Sequence, residues 1–366
     1  MKHQICFLGG QLLPIYIGIK EFMPDSVHFI ASEESKEGVI VIKDLFKGLK
    51  FSEFLGDPFD FYLIRKRIEN IISKIDPDDS VLINLTGGTK IMLLAAQSII
   101  SDRGVKGFYI NQDYSFIDVP SYEKKKIASQ LSVRDFFALS GHRIFTANAL
   151  CDFTASDIKV SNEIEAFAAS NKLYSKLSDH IRKKFRSVPK KGFEKTINNA
   201  SIRWDTDLVE IEKDNKLVVS FKSNNIGELF FNASWWELLV ASQIGKWEKA
   251  KEVLLHCELP FKSDDKVLKN EIDILVNTGS KLIFVECKSG NIIQEDINKM
   301  KVIKQTYGGV ISKSLLVSRF MPSQSIQEKC KELDIAVYYV YAFQRVVNPL
   351  KNLGRVLDRI EKRTSI

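Results

Sequence analysis

The sequence predicts an α/β protein built from two unlike units. Three observations lead there. The chain has 366 residues, too many for one hydrophobic core. Its first third alternates strand-like and helix-like segments, the pattern of a parallel sheet with helices on both faces. Its last part follows a different order: helix, three strands, helix, strand.

The elements follow in turn. QICFLGG is a short apolar run ending in glycines, and PIYIGIKEF after it suits a helix with Pro14 in its first turn. SVHFIAS is a second strand. Residues 58–74 carry Phe61, Ile64, Ile68 and Ile72 at helical spacing. DPDD turns the chain, SVLINLT is a strand, TKIMLLAAQSIISD is a helix, and VKGFYIN and YSFIDV are strands. From about Ser121 to Lys195 the chain is more polar and mostly helical, in SVRDFFALS, EIEAFAAS and LYSKLSDHIRKKF. That stretch ends in RKKFRSVPKKGFEK, basic and broken by Pro189 and Gly192, which marks a boundary. The predicted division is a first domain at 1–125, a helical connector at 126–195 and a second domain at 196–366. The last part opens on a hairpin, DLVEIEKDNKLVVSFK, with Asp-Asn at its turn. ASWWELLVASQIGK is the helix, and EVLLHCELP, EIDILV and KLIFVECK are the three strands. QEDINKMKVIKQ, SLLVSR, a further helix and IAVYYVY complete it.

Composition removes several function classes. The five cysteines are dispersed without a CxxC pair, and the five histidines form no HExxH, so a zinc site or disulfide framework is not expected. No run reaches about 18 apolar residues, so no membrane helix is expected. The N-terminus reads as a strand rather than a leader, and a cytoplasmic protein is expected. The formal charge of +7 suits a polyanion partner without requiring one.

The informative segment is NEIDILVNTGSKLIFVECKSG, residues 270–290. With Thr278 and Gly279 at the tip of a tight turn, Asn277 faces Ser280 and Asp273 lies opposite Phe284. Side chains alternate along a strand, so Glu271, Asp273, Glu286 and Lys288 share one face. Ile272, Ile274 and Val276 share the other with Ile283, Val285 and Cys287. Asp273 and Glu286 are then diagonal neighbours with backbones roughly 7–8 Å apart. Paired carboxylates repel unless a positive group sits between them. Mg²⁺ or Mn²⁺ fits, held by Asp273, Glu286 and the Cys287 backbone carbonyl, and such an ion polarises phosphate and activates water. Lys288 would hold the attacking water and offset phosphate charge. The alternative is a solvated sheet face with a Glu286–Lys288 ion pair.

This D-x₁₂-E-C-K pattern resembles the PD-(D/E)XK nuclease superfamily. The resemblance implies a restriction-endonuclease-like α/β domain in which Asp273 and Glu286 bind the metal and Lys288 serves catalysis. Glu237, in the WWELL helix before them, matches a carboxylate that often joins the site. The proline of the family name is absent, since Ile272 precedes Asp273. Gln305 and Tyr307 stand where such enzymes often place a substrate-side polar group. His142 and His256 read as structural.

The second informative segment is NLTGGTK, between a buried strand and a helix start. Backbone N–H groups there lack internal partners and carry positive partial charge, and glycines let phosphate approach. Neither GxxxxGK[ST] nor GxGxxG is present, which disfavours nucleotide hydrolysis and a dinucleotide cofactor. GGQLLP after the first strand, and SEES after SVHFIAS, fall at the same carboxyl edge of the sheet. A capped helix with glycines that only turn the chain is the alternative.

Together these features resemble the CARF fold, the Rossmann-like sensor domain of CRISPR-associated proteins. The resemblance implies a homodimer that binds a cyclic oligoadenylate across its two-fold axis. The contacts would be Gly10, Gln11 and Leu12 from the first loop, Ser32 and Glu33 from SEES, and Asn84, Thr86, Gly87, Gly88, Thr89 and Lys90 from the glycine turn. A CARF sensor joined to a PD-(D/E)XK domain implies a type III CRISPR ancillary nuclease. Its expected activator is cyclic tetra-adenylate, and its expected substrates are single-stranded or nicked DNA and, in some members, RNA. Three rival readings stay open: a CARF regulator that binds nucleic acid without cutting it, a constitutive restriction- or repair-type nuclease, and a sensor that also degrades its own ligand. The basic run Arg182 to Lys195 is either a nucleic-acid path or a solvated linker.

Overall fold

The computed structural model describes residues 1–195, 199–260, 268–308 and 312–362. The chain divides into two compact units. The first holds Met1–Arg143 with Tyr307, and the second holds Ile144–Thr306 and the chain from Ser312.

In the first unit, β1 (Lys2–Phe7), α1 (Leu13–Phe22), β2 (Ser26–Ala31), α2 (Glu37–Leu45), β3 (Lys50–Leu55), α3 (Phe61–Ile72), β4 (Ser80–Asn84), α4 (Lys90–Arg103) and β5 (Lys106–Ile110) alternate strand and helix. β6 (Ser115–Val119), β7 (Lys124–Lys126) and α5 (Val133–Leu139) complete it. The sheet order is β3-β2-β1-β4-β5-β6-β7. Strands β1 to β5 are parallel, and β6 and β7 add an antiparallel edge. Ile5, Phe7 and Ile83 form one sheet face, buried with Ile64 and Ile68 of α3 and with Ala96 and Ile99 of α4. On the other face α1 comes so close that a Cβ on Gly18 would meet Phe108 at 2.7 Å and Asn84 at 2.8 Å. From β1 the chain winds outward to β2 and β3, then returns beyond β1 for β4. The winding reverses between β1 and β4, and open α/β sheets take ligands at such a point.

Three elements here escape the sequence reading, among them β7, three exposed lysines in a stretch read as mostly helical. Helix α2 carries Val39, Ile40, Val41 and Ile42, a β-branched run whose residues favour strands. Strand β3 is short and half exposed, so its alternation is faint.

The second unit opens with β8 (Thr146–Ala149), α6 (Ala155–Ser170), α7 (Leu173–Lys184), β9 (Gly192–Lys195), β10 (Ala200–Trp204), β11 (Leu208–Lys213), β12 (Lys216–Lys222) and α8 (Ile226–Phe231). Then come α9 (Ser234–Ile244), β13 (Glu252–Pro260), β14 (Leu268–Asn277), β15 (Leu282–Lys288), α10 (Gln294–Ile303), β16 (Lys313–Phe320), α11 (Gln324–Glu332), β17 (Ile335–Ala342), β18 (Arg345–Val346) and α12 (Leu353–Lys362). The main sheet runs β18-β17-β16-β15-β14-β13-β8, and a small antiparallel sheet runs β12-β11-β10-β9. The expected order of helix, three strands, helix and strand is that of α9 through β16. The β11–β12 turn has Asp214 and Asn215 at φ 52° and 59°, the left-handed pair that a two-residue hairpin needs.

The stretch 126–195, set apart by the sequence as a connector, is divided between the units. Asp135 of α5 pairs with Lys20 at 3.1 Å, and Glu21 accepts the Ala128 and Ser129 N–H groups. Beyond Ile144, β8 pairs with β13, and Trp235 Nε1 donates to the Tyr174 hydroxyl at 2.6 Å. Amphipathic helices with no core of their own bury their apolar faces in a neighbour's. Among the described residues no helix is long and apolar enough to cross a membrane.

Candidate active site and ligand-binding edge

Strands β14 and β15 form a hairpin around Thr278–Lys281. Thr278 N–H donates to the Lys281 carbonyl at 3.0 Å, Asn277 Oδ1 accepts from Gly279 N–H at 2.8 Å, and Gly279 has φ 84°. The paired residues are Asn277↔Leu282, Val276↔Ile283, Leu275↔Phe284 and Ile274↔Val285. This corrects the expected register. The loop holds four residues where the sequence reading placed two, so the pairing slides by two positions. The paired stretch ends at Ile274↔Val285, and the register it sets brings Asp273 level with Glu286 instead of diagonal to it. Because the slide is even, both residues stay on the expected face. Glu271 pairs instead with Glu258 of β13 and is exposed. Ile274, Val276, Ile283, Val285 and Cys287 face a core that includes Trp235, Trp236 and Val240 of α9.

The site is built on this pair. Glu286 is buried, and its Oε1 lies 2.9 Å from Lys288 Nζ. Lys288 also reaches Asp296 Oδ1 at 3.1 Å, while the other Asp296 oxygen accepts the Ile293 N–H at the start of α10. Asp296 is a site neighbour that the sequence reading missed, and its capping position was the available signal. Cys287 N–H donates to Asp273 Oδ2 at 2.7 Å. Burial, then Glu286, then Glu237 push the Asp273 carboxyl well above the usual carboxylate range. The Lys288 ammonium is raised: burial works against it, but Glu286 and Asp296 outweigh burial.

Glu237 is delivered by α9, whose flanking residues Trp235, Trp236, Leu238 and Leu239 are buried. Its Oε2 lies 2.6 Å from His256 Nε2. The pairs Leu255↔Ile274 and Cys257↔Ile272 bracket His256, so it stands level with Asp273. His256, Asp273 and Glu286 therefore form one row across β13, β14 and β15. His256 has φ 51°, and the Asn148 amide lies 3.2 Å from its Nδ1. Burial lowers its pKa, but the Glu237 carboxylate more than offsets this and raises it. Sequence alone sets this histidine aside as structural, because no spacing rule links residue 256 to residue 237.

A divalent ion fits this donor set. Three carboxylates repel one another, and the Lys288 ammonium pairs with only one of them. Among the described residues no group of three or more His, Cys, Asp or Glu stands ready to hold an ion. What the row offers is two carboxylate side chains plus main-chain oxygen, the partial shell that Mg²⁺ or Mn²⁺ completes with water. Gln305 is exposed, while Tyr307 is buried and stacked on Phe137 with centroids 5.8 Å apart, so its ring serves packing. The four tryptophans are all buried.

At the first unit's switch point the two glycine loops touch. A Cβ on Gly87 would lie 2.1 Å from the Phe7 carbonyl oxygen, and one on Gly9 would lie 3.0 Å from Gly88 N. Gly88 has φ 79°. Several expected contact residues are engaged in building the loop. Asn84 is fully buried, donating to the Pro14 carbonyl at 3.2 Å and accepting the Thr86 N–H at 2.9 Å. Thr86 Oγ1 accepts the Ile110 N–H at 2.8 Å. Thr89 caps α4 by accepting the Met92 N–H at 3.2 Å and donates to the Pro58 carbonyl at 2.6 Å. Asn84 and Thr89 are therefore engaged in shaping the loop. Gly10, Gln11 and Lys90 are exposed. Leu12 packs over α2, where a Cβ on Gly38 would meet it at 2.6 Å. Ser32 is buried, its hydroxyl donating to Glu34 at 3.1 Å, and exposed Glu33 pairs with Lys36 at 2.6 Å.

A doubly wound sheet with a prepared ligand edge, joined to a sheet carrying an Asp–Glu–Lys row, defines a sensor-linked nuclease. Family models bear this out. Residues 4–136 match the model of the Card1 CARF domain, and residues 224–352 match that of the Card1-like endonuclease domain.

Solved structures share the fold over the whole chain. Can2 from Sulfobacillus thermosulfidooxidans, in complex with cyclic tetra-adenylate, matches with TM-score 0.71 and 19% identity, covering 99% of this chain and 100% of that one. Protein VC1899 from Vibrio cholerae matches with TM-score 0.76 and 14% identity, covering 100% and 99%. A type III CRISPR defence DNA nuclease activated by cyclic oligoadenylate matches with TM-score 0.63 and 16% identity, over 99% of this chain and 52% of that one. No curated protein matches.

Proposed function

We propose that this protein is a metal-dependent nuclease of type III CRISPR defence, switched on by a cyclic oligoadenylate and cutting DNA, with RNA as a second substrate. The observation that carries the proposal is the pairing, in one chain, of the Asp273–Glu286–Lys288 row with the two interlocked glycine loops of a CARF sheet. The Can2 complex and the oligoadenylate-activated DNA nuclease share this fold, which supports the reading. Cyclic tetra-adenylate is the proposed ring, held between the two copies of a homodimer.

Asp273, Glu286 and the Cys287 carbonyl would hold the ion, with Glu237 beside them. When bound, Mg²⁺ or Mn²⁺ polarises a phosphoryl oxygen and lowers the pKa of water. The protein's own part is to place charge. Lys288, held between Glu286 and Asp296, sets a positive group at the phosphate. His256 fixes the position of Glu237. In the first unit, exposed Gly10, Gln11 and Lys90 would meet the ring together with the N–H groups of the α4 start. Gly87, Gly88, Asn84, Thr86 and Thr89 hold that start in place, and Leu12 and Ser32 support the neighbouring loops. The ring activates only by binding the competent arrangement better than the resting one.

The test incubates the protein with Mn²⁺ and plasmid, single-stranded DNA or RNA, with and without tetra- or hexa-adenylate rings. Cleavage that needs a ring is expected. Equal cleavage without one would favour a constitutive nuclease, and ring binding with no cleavage a regulator. Lys90→Ala is expected to raise the ring concentration for half-maximal activation while leaving the maximal rate intact. Unchanged activation would remove Lys90 from the ring site.

His256→Ala is expected to reduce the maximal rate about 10–100-fold, the usual cost of losing a group that orients a site residue. KM should hold, and His256→Gln should recover part of the loss because its amide can still donate to Glu237. Equal losses in both variants, with lowered melting temperatures, would show that His256 acts only in packing.

A further inference from the structure

The chain's excess positive charge is concentrated in one place. Residues 172–195 contain nine Lys or Arg and two Asp or Glu, a net +7, which equals the formal charge of the whole protein. The other residues carry 44 of each sign, by subtraction from 53 and 46. A run this biased costs folding energy by self-repulsion unless it has a use or a counterion.

The structure shows how these charges are displayed. Helix α7 buries Tyr174, Leu177 and Ile181 and turns Lys172, Lys176 and Lys183 outward on one face. The nearby carboxylates are already committed. Asp179 pairs with Arg182 at 2.9 Å, Glu194 with Lys184 at 2.6 Å, and Asp205 with Lys191 at 2.9 Å. Among the described residues Lys183, Arg186, Lys190 and Lys195 have no carboxylate partner, and all four are exposed. Strand β9 is the edge of the small sheet. On it Phe193 is 53% exposed and faces Arg203 of β10, whose guanidinium lies 5.9 Å from the ring centroid. An exposed aromatic ring beside unpaired cations is the equipment of a surface that tracks phosphates and stacks an unpaired base. The segment lies outside both matched domains, which cover residues 4–136 and 224–352.

We propose that the C-terminal end of α7, the loop after it and the outer face of the β9–β10 edge form a docking surface for single-stranded DNA. It is separate in sequence from the carboxylate row, and the proposal rests on the nuclease reading. Lys183, Arg186, Lys190 and Lys195 meet phosphates, and Phe193 with Arg203 stacks one base. The ring face commits the surface to a strand whose bases are free, since a duplex offers it no π-face.

The experiment measures anisotropy of a fluorescein-labelled DNA strand with the full-length protein in EDTA, where no cutting occurs. The variants are Lys183→Gln/Arg186→Gln/Lys190→Gln/Lys195→Gln together, and Phe193→Ala alone. The fourfold variant should lower the slope of log Kd against log salt by about 3, at ~0.7 per phosphate contact. Phe193→Ala should weaken strand binding about tenfold and leave duplex binding unchanged. Wild-type affinity and slope in the fourfold variant would overturn the surface. Tighter binding of an RNA strand of the same sequence would overturn DNA as its occupant, and equal losses on strand and duplex would overturn the stacking role of Phe193. Because binding is read without cleavage, these outcomes are independent of the metal site. A chain that binds strands this way but never cuts would fail the nuclease reading alone.

Discussion

Replacing Asp273 with asparagine is expected to abolish cleavage and, in metal-free buffer, to raise the melting temperature. The two effects have one cause. Burial and the Glu286 and Glu237 carboxylates hold the Asp273 pKa well above its ordinary value. In the unfolded chain the same group ionises near its usual pKa of about 3.9. Above that pH the folded state binds more protons than the unfolded state, so stability falls as pH rises toward the folded pKa. Asparagine keeps the shape and removes the ionisation, so the gain should be clear at pH 7 and vanish near pH 3. Mn²⁺ should reverse the order, since an ion bound to the folded state stabilises it by mass action and the variant lacks a ligand. The cleavage loss should exceed the about 10–100-fold typical of outer-shell partners. A variant that melts lower without metal, and gains as much from Mn²⁺ as the native protein, would remove Asp273 from the ion site.

Gly87→Ala is expected to uncouple the sensor. The new methyl carbon would stand 2.1 Å from the Phe7 carbonyl oxygen, a main-chain atom that cannot rotate away. The loop after β4 must move off β1, at a cost of about 1–3 kcal/mol for overpacking. The start of α4 moves with it, so ring affinity should fall at least about tenfold while the carboxylate row stays intact. Gly10→Ala is the control for stability, because nothing lies within 4 Å of its added carbon. Calorimetric titration with cyclic tetra-adenylate reads the result. Native ring affinity in Gly87→Ala would mean that the two loops do not hold the ring together.

Much of this was legible beforehand, for identifiable reasons. Strand–helix alternation is a period signal, and it located β1, β2, β4 and β5 and the helices α1, α3 and α4. Helix α2 was lost because its β-branched run carries the opposite local preference. The face shared by Asp273 and Glu286 was legible because parity survives an even error in register. That the two stand level was not, since loop length depends on the hydrogen bonds of Asn277 and Thr278. His256 was invisible as a site residue because its partner Glu237 comes from a different element. Asn84 and Thr89 are expected ring contacts whose existing bonds were not legible, since sequence shows that a polar side chain exists, not that the Pro14 and Pro58 carbonyls already accept from it.

The four-residue turn at Thr278–Lys281 has a consequence for how this nuclease can vary. A residue added to or removed from the turn itself is absorbed there, because the ladder begins only at Asn277 and Leu282. A residue gained or lost inside β15 before Glu286 is different: it would send every later side chain of the strand to the opposite surface. Glu286 and Lys288 would then point into the apolar layer, and Val285 or Cys287 would take the place of the acid. Descendants of this chain are therefore free to vary the turn but not the count of residues from Leu282 to Glu286, unless a compensating bulge arises in the same strand.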